Sequence, residues 1–413
     1  MTYGRLQCDT INGCGKFYKQ GMATCPSCGA SATFSDLIPF NPLDWVYDLE
    51  TYPNVFTASF KHPNSGVRAF FEVSERRNDV QKLLWFLSTL RDAGCRLVGY
   101  NNLGFDYPIL HFLMQYPIQG IGVDQLYGKA DSIIQTPWDR RFDNIVWDKD
   151  VLIPQIDLFK IHHFDNDARR TSLKILEFNM TSQNIEDLPY PPGIPLLIHQ
   201  IPVLASYNDH DVDETEKFYI ESIEMIEFRE DLGRRYGKNF LNHSDKKIGT
   251  ELFVMELEKN SPGSCYTRVE GGRRVVRQTI RNTIGIANVI FPYINFKREE
   301  FNRVKQWLSS QVITETKGVF TGLNAEIDGF KYDFGAGGIH GSIDSAIVCS
   351  DDEFEIWDWD VAGYYPSIGA VNNLFPEHLS SQFGVVDAML KAERAKHGKG
   401  TPLNKAIKLA RNG

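Results

Sequence analysis

No stretch of this 413-residue chain combines the length and apolar character of a membrane span. The longest uncharged run, 188–208, holds five prolines, and a continuous spanning helix does not form around so many missing N–H donors. The N-terminus, MTYGRLQCDTINGCGK, lacks the apolar core of a signal peptide. Internal repeats and low-complexity tracts are absent too, which excludes solenoids and compositionally biased tails. Positive charge is in deficit: 44 Lys and Arg face 53 Asp and Glu, a net charge of −9. A uniformly basic nucleic-acid coat is thereby excluded, while local basic tracks stay open. The expectation is a cytoplasmic protein with no membrane partner.

What is present is ordinary globular material, 42% hydrophobic and 23% charged, long enough for two or three domains. Aromatics are plentiful, with 27 Phe, 17 Tyr and 7 Trp; most are expected in the core and a few as platforms for bases. Cysteines number 7, four of them within the first 28 residues. Cys8, Cys14, Cys25 and Cys28 read C-x5-C-x10-C-x2-C. The second pair, in TCPSCGAS, has the tight spacing that aims two thiolates at one tetrahedral ion. An intracellular setting favours Zn2+ over disulfides, so 1–36 is expected to be a zinc-ribbon-like segment; the alternative is four unligated thiols in an arm. Cys95, Cys265 and Cys349 stand alone in apolar surroundings and are expected to pack.

Beyond a short linker, LIPFNP, the segments WVYDLETY, NVFTASF and VRAFFEV read as consecutive strands. Val80, Leu83, Leu84, Leu87 and Leu90 recur at helical spacing, and RLVGYNN is a short buried strand that runs into GFDYPILHFLMQY, a second helix. Strands followed by strand–helix alternation indicate an α/β layered domain. Residues 136–200 read as irregular, with QIDLFKIHHFDN and SLKILEFNM as ordered islands. The pattern over 203–234 is helical and strongly charged. Five arginines, Arg268, Arg273, Arg274, Arg277 and Arg281, cluster around a Gly-Gly turn, either as a track for phosphates or as a solvated hairpin face. The last third carries a glycine-rich turn, a strand in EFEIWDWDV and a helical, basic end.

Three carboxylate motifs occur in order. Asp48 and Glu50 in VYDLETY share one face of a strand, where both can grip one metal ion; alone, a D-x-E is equally at home in a strand with no site. Asp106 in GYNNLGFDYP follows an apolar strand and opens a helix, with Asn101 and Phe105 ahead of it. In SYNDHDVDET, Tyr207 and Asp211 are spaced to share a helix face. Asp209, Asp213, Glu214 and Glu216 around them would otherwise make a solvated acidic face. Together the motifs offer four hard oxygen ligands and one phenol, a set suited to two divalent cations flanking a scissile phosphate.

In this order and spacing the sequence resembles the proofreading exonuclease of family B DNA polymerases, whose motifs have the forms D-x-E, N-x3-F-D and Y-x3-D. The resemblance implies an RNase H-like DEDDy domain over 40–235 that removes mispaired nucleotides from a DNA 3′ end. Asp48, Glu50, Asp106 and Asp211 would be its ligands for two Mg2+ or Mn2+, with Tyr207 catalytic and Asn101 and Phe105 on the substrate.

The resemblance continues. DWDVAGYYPSIG, 358–369, is similar to the first palm motif, with Asp360 as a metal ligand of nucleotidyl transfer and Tyr365 at the position that rejects a ribose. Gly363 and Tyr364 depart from the usual Ser and Leu. Gly337 and Gly338 lie in a segment, 334–343, that resembles the template-contacting turn of phage enzymes, within a linking region of 236–345. The basic run 391–411 resembles the fingers, with Lys391, Arg394 and Lys408 on the triphosphate. Lys408 also opens the first half of a K-x3-N-S/G-x-Y-G motif at which the sequence stops. The resemblance therefore implies the N-terminal portion of a phage-type enzyme, located in a host cytoplasm. Its palm and fingers over 346–413 would be partial, its exonuclease active and its polymerase inactive alone. DNA would be the partner as a single-stranded 3′ end or a primer–template. A dNTP would bind only once a second polypeptide completes palm and thumb. Two further readings are a non-catalytic DNA-binding or assembly subunit and a stand-alone nuclease acting on RNA.

Overall fold

The computed structural model describes residues 6–7, 17–18, 41–115, 120–166, 170–316, 318–335, 337–343, 345–361 and 363–412. Two short strands, β1 (Leu6–Gln7) and β2 (Phe17–Tyr18), pair antiparallel. Cys8, Cys14, Cys25 and Cys28 lie outside the described residues. The chain divides into two compact units, one built on Met1–Leu252 with Arg394–Arg411, the other on Phe253–Glu393.

The first unit is organised by a five-stranded mixed sheet. The chain meanders through β3 (Asp44–Tyr52), β4 (Val55–Lys61) and β5 (Arg68–Val73) as antiparallel neighbours. It then crosses through α1 (Val80–Asp92) to β6 (Arg96–Gly99), which lies parallel to β3 on its other side. Helices α2 (Asp106–Gln115) and α3 (Val123–Ile134) precede β7 (Gln155–Asp157), parallel to β6. The strand order is β5-β4-β3-β6-β7. Then come α4 (Leu158–Ile161), α5 (Leu173–Asn179), the long α6 (Ile201–Tyr236) and α7 (Asp245–Asn260).

Both faces of the sheet are covered, and the alternation along β3 explains how. Tyr47 and Leu49 point to one side and join Leu83, Leu87, Ile109 and Leu110 in a buried core with α1, α2 and α3. Val46 points to the other side and packs with Val98, Ile156, Val212, Phe218 and Ile226 under α4 and α6. With a side-chain period of two, Asp48 and Glu50 belong to the same face as Val46. They extend that core toward α6 but carry charge.

The second unit has little core. Strands β8 (Tyr266–Arg268) and β9 (Arg274–Val276) form the arginine hairpin. Beyond β10 (Ile284–Gly285), helix α8 (Glu299–Ser309) and β11 (Val312–Ile313) lead into β12 (Asn324–Ile327), β13 (Phe330–Gly335) and β14 (Gly338–Ser342). These last three make an antiparallel sheet against which Val304, Ala325 and Phe334 are buried. Helices α9 (Tyr364–Val371), α10 (Gln382–Ala395) and α11 (Pro402–Asn412) follow, and α11 belongs mostly to the first unit.

Several local expectations are corrected. EFEIWDWDV is not a strand: 351–360 carries no ladder, and Phe354, Ile356, Trp357 and Trp359 are exposed. A strand-like sequence needs a partner for its amides, and none of the described strands pairs with it. Cys349 is exposed, whereas Cys95 and Cys265 are buried as expected. The acidic side of α6 is not simply solvated. Lys61 reaches Asp213 at 2.7 Å and Glu216 at 2.5 Å, Arg68 binds Asp213, and Glu214 is buried against Ser182 Oγ at 2.6 Å. The glycines at 337 and 338 turn the β13–β14 hairpin, with Gly338 at φ +144°. A closer backbone constraint is Gly341, where a Cβ would come within 2.5 Å of the Phe330 ring.

Candidate metal centre

Four acids separated by up to 163 positions meet at the end of β3. Asp48 and Glu50 arrive by strand alternation, and Asp211 comes from α6 above them. Ligand oxygens of these three lie within 4.8 Å of one another. Asp106 arrives by a different route. The β3–β6 ladder ends at Val46–Val98, and past that point the Leu49 amide donates to Asp106 Oδ1 at 3.2 Å. The carboxylate thus continues the hydrogen bonding that β6 leaves off.

The turn that delivers Asp106 is itself fixed. Buried Asp157, at the end of β7, accepts from the amides of Asn101 and Leu103 at 3.1 Å each, and from Phe159 at 3.0 Å and Lys160 at 3.3 Å. Asn101 sits at φ +59°, a left-handed conformation that Asn tolerates better than most residues. A Cβ at Gly104 would come within 2.6 Å of the Asn101 side-chain oxygen. Asn101 is exposed in the turn, while Phe105 is half-buried against the α1–α2 core. Both are therefore engaged in shaping the loop that presents Asp106.

Sequence reasoning missed three residues here. Asn208, fully buried, donates to Asp48 Oδ2 at 2.7 Å while its own carbonyl accepts from Thr57 Oγ1 at 3.0 Å. It lies between Tyr207 and Asp211 in the motif, but nothing in the spacing shows that it turns toward Asp48. Lys174 on α5 acts on Glu50 and Asp211 as the nearby positive charge, and its ammonium is 5.8 Å from the Tyr207 ring centre. Glu177, also on α5, forms with His210 and Asp211 a second group of atoms within 4.8 Å of one another.

Electrostatics at the cluster are unfavourable without a cation. Burial, then the charges of Asp106, Asp211 and Glu50, hold the Asp48 carboxyl well above the usual range, opposed only by the Asn208 hydrogen bond. Glu50 is raised by burial and by Asp211 and Asp106. Burial pushes Asp106 up to about 7 and Asp211 up to about 7, the latter opposed by a hydrogen bond from the Tyr207 hydroxyl. Tyr207 itself is raised by burial and by Asp211, so its phenol stays protonated and donating. Four oxygen-bearing acids that repel one another are the donor set expected of a hard divalent cation, and the residues fit such an ion.

A pH dependence follows. With carboxyl values near 7 in the fold against ~4 unfolded, the metal-free folded chain holds protons that the unfolded chain has released. Stability is therefore lost as pH rises toward and through 7. His162 and His243, both lowered by burial to about 4, oppose this below about pH 6.5. The window is thus about 6.5 to 8. Across it the melting temperature of the metal-free chain is expected to fall by several degrees, and saturating Mg2+ is expected to remove the fall. A melting temperature flat in pH with and without Mg2+ would exclude these carboxyls as metal ligands.

The remaining candidates lie elsewhere. Asp360 is in the exposed irregular segment, and among the described residues it joins no group able to hold an ion. Exposed Tyr365, in the first turn of α9, brings its hydroxyl to 3.5 Å from the Gly337 carbonyl. Arg394 bonds Asn404, tying the end of α10 to α11, and Lys391 and Lys408 are exposed. Of the arginine hairpin, Arg274 stacks on Tyr266 at 3.7 Å, Arg277 binds the Gly263 carbonyl and Arg281 binds Glu377. All five arginines are solvent-facing. Among the described residues, no helix is long and apolar enough to cross a membrane.

Comparison with protein-family models, curated proteins and solved structures returned no match.

Proposed function

We propose that this chain is a metal-dependent 3′→5′ exonuclease acting on DNA, with an RNase H-like domain as its scaffold. The observation that carries the reading is the convergence of Asp48, Glu50 and Asp211 within ligand distance, with Asp106 bonded to β3 beside them. All four stand in the order and spacing of the exonuclease motifs.

When bound, two divalent cations would activate a water on the scissile phosphate and stabilise the departing 3′ oxygen. Asp48, Glu50, Asp211 and Asp106 would hold them. Asn208 fixes the orientation of Asp48. Tyr207 holds its proton and is placed, through Asp211, to hydrogen-bond the water or phosphate. Lys174 brings positive charge to the rim, where a DNA backbone would approach. Asn208→Ala is expected to lower the rate about 10- to 100-fold, as loss of a residue that orients a ligand does. Titration of the rate with Mg2+ would show the loss as a higher metal requirement; an unchanged rate and requirement would remove Asn208 from the machinery.

The motifs around Asp360, Tyr365 and Lys408 extend the proposal to the first portion of a family B DNA polymerase. DNA synthesis by this chain alone is not expected, because Asp360 joins no group able to hold an ion among the described residues. One observation favours a second role as a subunit that assembles with another polypeptide: the apolar side chains over 354–361 are largely exposed, Trp359 at 83%. The deciding experiment is incubation of the purified chain with 5′-labelled single-stranded DNA, and in parallel RNA, in the presence of Mg2+ or Mn2+. Stepwise shortening of DNA supports the proposal, faster shortening of RNA replaces the substrate, and no shortening of either leaves the assembly role.

A further inference from the structure

Glu177 is a buried acid with no structural task. Its side chain is 0% exposed, yet among the described residues Oε1 has no hydrogen-bond partner and Oε2 has only His210 Nε2 at 3.5 Å. Stranding a carboxylate oxygen in this way opposes folding, and the adjacent Glu214 charge adds to the penalty. The nearby cation, Lys174, is bonded to Asp187 at 2.6 Å. Its charge stabilises the Glu177 carboxylate less than His210 does.

One atom each of Glu177, His210 and Asp211 lies within 4.8 Å of the other two. Ligands around an ion at roughly 2.1 Å stand about 3 to 4.2 Å apart, so closure on an ion needs only small side-chain adjustments. Glu177 comes from the α5 segment and the other two from consecutive positions on α6. The vacant oxygen of Glu177 is the independent sign that something positive belongs there.

We propose that Glu177, His210 and Asp211 form a second metal site, distinct from the all-oxygen cluster and sharing Asp211 with it. An imidazole among the ligands selects against Mg2+ and for a transition-series cation that accepts nitrogen more readily, such as Mn2+ or, more strongly, Zn2+. The shared carboxylate couples the two sites, so an ion at one changes the affinity of the other, reciprocally. The proposal does not depend on nuclease activity, since it concerns ion binding alone.

The test is a Mn2+ titration of the full chain under saturating Mg2+, with free Mn2+ read by electron paramagnetic resonance. Mn2+ is preferred to Zn2+ because thiolates compete poorly for it. The unaltered chain is expected to retain one Mn2+ that Mg2+ does not displace. His210→Gln and Glu177→Gln are each expected to lose it, and Asp48→Asn to keep it. Equal retention in all four proteins, no retained ion in any, or loss in Asp48→Asn alone would overturn the proposal. Should either substitution fail to fold, the His210 ring signal of the unaltered chain decides. Broadening by substoichiometric Mn2+ under Mg2+ supports the site, and an unaffected signal overturns it.

Discussion

Asp48→Ala is expected to abolish the shortening of a 5′-labelled DNA strand, a fall of at least about a thousandfold against the unaltered chain. Ligation of the catalytic ions is worth several kcal/mol of transition-state stabilisation, and each 1.36 kcal/mol is a factor of ten. A mutation that merely unfolds the chain would give the same activity result, but the melting temperature separates the two. Asp48 is raised by burial and then by crowding with three other acids, and its removal relieves both in the metal-free chain. The variant should melt at the same temperature as the parent or higher without metal, and lower than the parent with saturating Mg2+. Full activity in Asp48→Ala would sink the exonuclease reading, because no other residue among those described replaces its position between Asp106 and Asp211.

The largest loss of stability is expected at Arg229. Its side chain is fully buried, with Nε donating to the His243 carbonyl at 2.8 Å and Nη1 to the Met225 carbonyl at 2.9 Å. Nη2 donates to the Ile161 carbonyl at 3.2 Å and to Asp245 Oδ1 at 2.8 Å. One guanidinium thereby joins α4, α6, the loop after α6 and the first turn of α7. Arg229→Ala empties a fully buried site and takes the side-chain donors from the Ile161 and His243 carbonyls and from the partly exposed Asp245, for which about 3–5 kcal/mol is the expected cost. At about 2–4 °C per kcal/mol for a unit of this size, the melting temperature should fall by roughly ten degrees. Arg229→Lys should recover little, because an ammonium cannot span the four acceptors that a planar five-donor fork reaches. Thermal unfolding measures both, and a loss below about 1 kcal/mol for the alanine variant would mean that solvent enters to replace the bonds.

How much of this was legible in the sequence depended on whether local geometry alone decides the outcome. The D-x-E on β3 and the Y-x3-D on α6 were readable because strand and helix periods fix which side chains share a face, whatever the rest of the chain does. Asp106 was readable as the opening of a helix, but its bond to Leu49 was not, since that depends on where the β3–β6 ladder stops. Asn208, Lys174 and Glu177 were invisible. Each is an unremarkable helical position until α5 and α6 are laid over the sheet. The reverse failure is EFEIWDWDV, where alternation and β-branched or aromatic residues encode a preference for extended backbone. A strand exists only with a neighbour to bond, and propensity cannot supply one.

The division of the chain has a consequence for synthesis. The second unit, Phe253–Glu393, is an insertion in the first, whose core is completed by α11. Ala406, Ile407 and Ala410 are buried there, and Leu409 runs so close to α7 that a Cβ at Gly249 would lie 2.2 Å from its carbonyl oxygen. On the ribosome the sheet and its acids can assemble once α6 has emerged, but the seat for α11 stays open until some 175 further residues have been translated. At about 5–20 residues per second, that exposes an unfilled apolar groove for roughly ten to thirty-five seconds. Nascent chains paused before residue 402 should therefore be bound by chaperones and cut by protease near α7, and those extended past residue 411 should not.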